Sequence, residues 1–259
     1  MNTLPGTVAV NTFREAVRDR VLYNLIFFAL LMIGAAILVG QISIGIDRMV
    51  IINLGLSAIS LIGLVMAIFI GVSLVSKEIE KRTLYSLLAR PIHRWQFLAG
   101  KYAGLLLTLL VNTVFMAIGL AAALFYVGRP FVRGDATIVV AIYFILLELA
   151  LVTALALLFS CYSSPMLSTL FTLGVYITGV FAQDIRRAGE ISQSVAVEFV
   201  TRAIYYLVPN FHNFNVIAAA AHGEGVPFAL IWQNTLYTAV YVTLVLLGAT
   251  AVFSGRDLK

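Results

Sequence analysis

An all-α integral membrane protein is what this sequence predicts, and three observations predict it. Of the 259 residues 61% are hydrophobic and only 11% charged, where an ordinary soluble domain carries about 25% charged residues; the mean hydropathy is +1.01. The apolar residues gather in six runs, Val21–Gly40, Val50–Ser76, Gly100–Val127, Thr137–Ser160, Met166–Ala182 and Pro227–Ser254, each long enough for the roughly 17–25 residues that a helix needs to cross a bilayer core. The runs are continuous, whereas a transmembrane β-barrel shows alternating segments of about ten residues. Six transmembrane helices are therefore expected.

The formal charge of +5 does not point to nucleic acid, because the basic residues sit in short segments at the ends of the runs. With the N-terminus inside, Arg14, Arg18, Arg20, Lys77, Lys81, Arg82, Arg90, Arg94, Lys101, Arg256 and Lys259 fall on the inner side. Arg48, Arg129, Arg133, Arg186, Arg187 and Arg202 fall outside. That asymmetry predicts cytoplasmic N- and C-termini by the positive-inside bias. The first run exceeds the 7–15 residues of a signal-peptide core and ends in no clean small-x-small site, so it is expected to remain as a span. Cys161 is the only cysteine, which excludes an internal disulfide and a cysteine metal cluster within one chain.

Each element then follows in order. Residues 8–20 read as a short interfacial helix, with Thr12 and Glu15 spaced as a capping box and Val10, Phe13, Val17 and Val21 on one face. In the second span Gly63, Ala67 and Gly71 recur every fourth residue, a face that lets another helix approach closely. Residues 77–99 form a cytoplasmic loop: Lys77–Arg90 reads as an amphipathic helix with Leu84, Leu87 and Leu88 on one side, and Pro91 ends it. By pattern alone this helix either lies on anionic lipid or docks a soluble partner. Residues 183–226 form the one sizeable external loop. From Glu190 it reads as one helix as far as Pro209, with Ile191, Val195, Phe199, Ala203 and Leu207 in a row and Glu198 and Arg202 spaced as an ion pair. The tract Tyr205–Asn215 is expected at the membrane–water interface because it mixes aromatic and polar residues. A surface or re-entrant helix before the last span is the expectation.

The order of Glu78, Glu80, Thr83–Leu84, Leu87–Leu88, Pro91, Arg94 and Gly100–Lys101 resembles the region between the second and third spans of ABC-2 type transporter permeases. It is nearest to the permease family named after nitrous-oxide-reductase (multicopper enzyme) maturation. "NTFREAVRDRVLYN" and the closing "FSGRDLK" are similar to that family's ends. Arg82 stands where many members have Gly. The resemblance implies a single permease domain over 1–259 of the type V exporter-like class, in a bacterial inner (plasma) membrane. It also implies a second permease copy, identical or related, and a cytoplasmic ABC ATPase dimer. Glu78, Glu80, Lys81, Arg82, Thr83, Leu84, Leu87, Leu88, Arg90 and Pro91 would be the ATPase-coupling residues. The chain carries no nucleotide motif of its own: around its only Gly-Lys, Trp95 stands where a P-loop needs its first Gly and Tyr102 where it needs Ser or Thr. ATP and Mg are thus expected on the partner, no cofactor or metal on this chain, and no catalysis by it.

Glu148 is the ionisable residue well inside a predicted span. A carboxyl there is costly unless it is protonated, paired or facing water, which leaves inter-helix bonding, contact with a transport pathway and proton transfer open. A stand-alone secondary transporter or channel is the alternative function. A membrane-embedded enzyme is disfavoured, since His93, His212 and His222 all fall in loops with no catalytic partner spacing.

Overall fold

The structure, a computed structural model, describes residues 4–17, 20–42, 47–80, 94–127, 136–192 and 194–255. Among them there is no strand. Ten α-helices follow one another: α1 Leu4–Val17, α2 Arg20–Ile42, α3 Asp47–Glu80, α4 Arg94–Tyr126, α5 Ala136–Ser160, α6 Pro165–Val180, α7 Ala182–Ile191, α8 Val195–Leu207, α9 Ile217–His222 and α10 Phe228–Gly255. A 3-10 turn, Phe211–Phe214, separates α8 from α9.

Four helices are long and apolar enough to cross a membrane: Asp47–Ser73, Trp95–Tyr126, Ala136–Ser160 and Phe228–Val252. They fall within five residues of the second, third, fourth and sixth predicted runs, because length and hydropathy fix a span more firmly than any local propensity. The fifth run differs. Instead of a straight helix over Met166–Ala182, α6 stops at Val180 and α7 leaves at 58°, a bent pair that makes at most one further span. The first run is helical, but its apolar described part, Ile26–Gln41, is shorter than the others.

The bundle centres on α3 and α5, which pack together and against α4. The four-residue stripe on α3 acts as its spacing predicts: a β-carbon on Gly63 would stand 2.7 Å from Leu149 Cδ1, and one on Gly71 3.0 Å from the Ala156 β-carbon. Only small residues admit α5 there. The helix α3 has 34 residues, about 50 Å at 1.5 Å per residue, so it runs past the predicted Ser76 limit.

The first helix differs from its expected form in two ways. It begins at Leu4, which puts Thr12 in its interior instead of at a cap. Its buried face carries Thr12 and Ala16, while Val10 is exposed. The reason is α4: Gly104 leaves room for α1, since a β-carbon there would lie 2.5 Å from the Ala9 carbonyl and 2.6 Å from Thr12 Cβ. Lys101, almost fully buried, reaches Glu15 at 3.8 Å beside the same contact.

The predicted single helix of the external loop is two. It breaks between Ile191 and Val195, and α8 folds against α7. No α8 residue is buried. Its apolar row faces outward, with Val195 82% and Phe199 73% exposed. The predicted Glu198–Arg202 pair forms, at 2.6 Å.

Candidate functional site

Helix α6 is built the opposite way round from a helix in water. Its buried residues are Ser168, Thr172 and Gly179, whereas Leu167, Leu170, Phe171 and Ile177 are exposed. A helix surrounded by lipid places its hydroxyls inward for the same reason that a soluble one places them outward: each polar group needs a partner. Thr172 donates to the Ser168 carbonyl at 2.7 Å, and Thr153, on α5, to the Leu149 carbonyl at 2.7 Å. Ser168 shares a 2.7 Å hydrogen bond with Ser163.

The next residue along that inward row, Tyr176, crosses to α5. Its hydroxyl donates to Glu148 Oε1 at 2.9 Å, and Glu148 is buried. Glu148 lies twelve residues before the end of α5 and Tyr176 eleven after the start of α6. Both are therefore about 17 Å from the α5–α6 turn, near the middle of a bilayer core.

The segment after α8 closes over this pair. Phe211 packs on Tyr176, with ring centroids 5.0 Å apart. Phe214 packs against Phe144 and Tyr237 at 6.4 and 6.3 Å. Both Phe rings are almost completely buried, whereas Tyr206 and Leu207 of the same tract are exposed, so only its Phe211–Phe214 part enters the bundle. Two α10 tyrosines hold its backbone: Tyr241 donates to the Leu207 carbonyl at 2.8 Å, and Tyr237 accepts from the Asn210 N–H at 3.2 Å. Tyr143 and Thr235 tie α5 to α10 at 2.7 Å. The buried Asn210 carboxamide has no hydrogen-bond partner among the described residues, a costly arrangement for a polar group away from water.

Of the residues singled out in the sequence, Glu148 is placed within this seam. Glu78 and Glu80 lie in the last turn of α3. Lys81, Arg82, Thr83, Leu84, Leu87, Leu88, Arg90 and Pro91 lie outside the described residues, and Arg94 opens α4. Sequence reasoning missed Tyr176, Asn210, Tyr237 and Tyr241. The four-residue spacing of Ser168, Thr172 and Tyr176 was a readable sign of one polar helix face, but nothing local shows that Tyr176 meets Glu148, 28 positions earlier. At the far end of α6, Arg186 hydrogen-bonds Glu190 at 2.9 Å and stacks over Tyr205. The Glu190 contact raises its pKa above the ordinary guanidinium value.

This geometry joins helices through buried hydrogen bonds, and among the described residues of the seam no nucleophile is paired with a base. A bundle of apolar helices with hydroxyls turned inward defines a multi-pass membrane protein. The chain belongs to the family described as ABC-2 family transporter protein, which its residues 7–258 match, and that makes it the membrane component, or permease, of an ABC transporter. A comparison with curated proteins found no match.

Proposed function

We propose that this chain is the non-catalytic transmembrane subunit of an ABC exporter, nearest to the nitrous-oxide-reductase maturation permeases. It crosses a bacterial plasma membrane six times with both termini in the cytoplasm. Two permease copies work with a separate cytoplasmic ATPase dimer that binds ATP and Mg, and residues 77–99 carry the force of hydrolysis to the spans. The observation that carries this reading is the family match from residue 7 to residue 258 in a chain that has no nucleotide motif of its own. The extension of α3 to Glu80 supports it, since a helix of about 50 Å reaches beyond a core of about 30 Å and leads directly into the coupling segment.

Co-purification with the ATPase, together with transport-coupled ATP hydrolysis, tests the proposal. Leu84→Asp or Leu87→Asp puts an unpaired charge in the docking contact, a change of several kcal/mol, and should release the ATPase or uncouple it. Charge reversal at Arg82 or Arg90, nearer the rim, should act mildly and depend on salt, because exposed pairs are worth about 0–1 kcal/mol. Full ATPase binding and hydrolysis in both Leu variants would defeat the coupling role. The buried Glu148–Tyr176 pair and the broken outer loop favour a stand-alone secondary transporter, and uptake or efflux in vesicles without any ATPase would establish that reading instead.

A further inference from the structure

Two cavities lie along α6, α7 and the end of α8. The first, about 180 Å³, is a polar cup lined by Gln183, Arg186, Arg187, Glu190 and Tyr205. The second, about 340 Å³, is a mainly apolar groove along α6, lined by Phe159, Tyr162, Phe171, Gly174, Thr178 and Val208 among others; its size is at the lower end of small-ligand sites. Tyr205 of the cup and Val208 of the groove stand three residues apart, in the last turn of α8 and at its C-cap, a spacing that sets the two cavities side by side.

We propose that cup and groove together seat one phospholipid of the surrounding bilayer, its phosphodiester headgroup in the cup and one acyl chain along α6. Charge fits the headgroup. Two arginines and one glutamate leave the cup one positive charge, which a phosphodiester monoanion balances. Glu190 holds Arg186 by its Nε, so the cup does not offer the two positive charges that a phosphate dianion would need. Shape fits the chain. Nothing lies within 4 Å of where a Gly174 β-carbon would be, so the groove floor is bare backbone between exposed Leu170 and Phe171. The outward apolar row of α8 continues the same lipid-facing surface. A soluble anion would use the cup and leave the groove empty, whereas a lipid uses both. This seat rests on the membrane-spanning reading and is independent of the ATPase.

The test reconstitutes the full chain in phosphatidylcholine nanodiscs with a small fraction of phosphatidylglycerol that carries a photoreactive diazirine in one acyl chain. Cross-linked peptides are mapped by mass spectrometry. Labelling is expected to concentrate on residues 159–178. It should fall about tenfold in Arg186→Gln/Arg187→Gln, the scale of losing one or two charge-assisted hydrogen bonds, and recover in Arg186→Lys/Arg187→Lys. Gly174→Phe, which fills open space, should lower labelling with the cup intact. A photoreactive diacylglycerol, which lacks the phosphate, should label weakly, and millimolar inorganic phosphate should not compete. Equal labelling by the diacylglycerol, labelling spread evenly over α2, α4 and α10, or unchanged labelling in the Arg186→Gln/Arg187→Gln chain would each overturn the seat. So would displacement by inorganic phosphate. Absence of tail labelling at every helix would instead defeat the membrane-spanning reading, and loss of ATPase coupling in Leu84→Asp with labelling retained would separate this site from the transport mechanism.

Discussion

Glu148 shows how one residue can be legible by type and illegible by role. Its isolation in an apolar run marks it, and the cost of a carboxyl in a membrane demands a partner. Which partner depends on Tyr176 reaching it across the α5–α6 interface at 2.9 Å. A carboxyl oxygen, ionised or not, accepts that hydrogen bond, and so does an amide oxygen. Glu148→Gln should therefore leave thermal stability in detergent within about 0.5 kcal/mol. Glu148→Leu leaves the Tyr176 hydroxyl without its acceptor and should cost about 1–2 kcal/mol, in the range for inter-helix hydrogen bonds in membranes. Adding Tyr176→Phe to Glu148→Leu should restore part of the loss, because removing both partners leaves nothing unpaired. Strict additivity of the two single changes would show that the bond does not carry the effect.

At the scale of elements, the sequence displays what is periodic and conceals what is turned. The four long spans and the Gly63–Ala67–Gly71 face follow from run length and four-residue spacing alone. The 58° bend after α6 does not, since hydropathy is the same on either side of a change in direction. Within the tract Tyr205–Asn215 the sequence does not separate Phe211 and Phe214, which plug the bundle, from Tyr206, which is exposed, because aromatic residues mixed with polar ones look alike in either place. Helix α1 is the sharpest case. Two faces compete on it, and the one with Val10 has the larger apolar side chains, yet Thr12 and Ala16 are buried because small residues fit the Gly104 surface of α4. Ala16→Leu and Gly104→Leu should each overpack this contact and destabilise by about 1–3 kcal/mol. Val10→Leu, on the exposed side, should be neutral. Melting temperatures of the three variants check the choice of face, and a Val10→Leu loss equal to the Ala16→Leu loss would reverse it.

For the whole molecule the question is which way the bundle stands in the membrane, and charge supplies an answer that hydropathy cannot. Eleven basic residues fall on one side of the six-span arrangement and six on the other; three of those six, Arg186, Arg187 and Arg202, belong to the α7–α8 pair. Two of these three already have acidic partners four residues away, Arg186 with Glu190 and Arg202 with Glu198. Acidic partners contribute little to the positive-inside bias, so it is the count of basic residues, eleven to six, that favours an internal N-terminus. Phe211 and Phe214 dip back into the bundle, but Glu224 is exposed beyond α9 and would lie on the far side in the six-span reading. In a Cys161→Ala background, Ser86→Cys should react with a membrane-impermeant maleimide only after the cytoplasmic face is opened, and Glu224→Cys in intact cells. Removing the acidic partners by Glu190→Gln/Glu198→Gln should leave the fraction of chains with Glu224→Cys outside unchanged, because the bias counts basic residues and not net charge. Labelling of both cysteines from the same side would remove the six-span arrangement, and an orientation that shifts with the two Gln substitutions would show that the acidic partners help to set it.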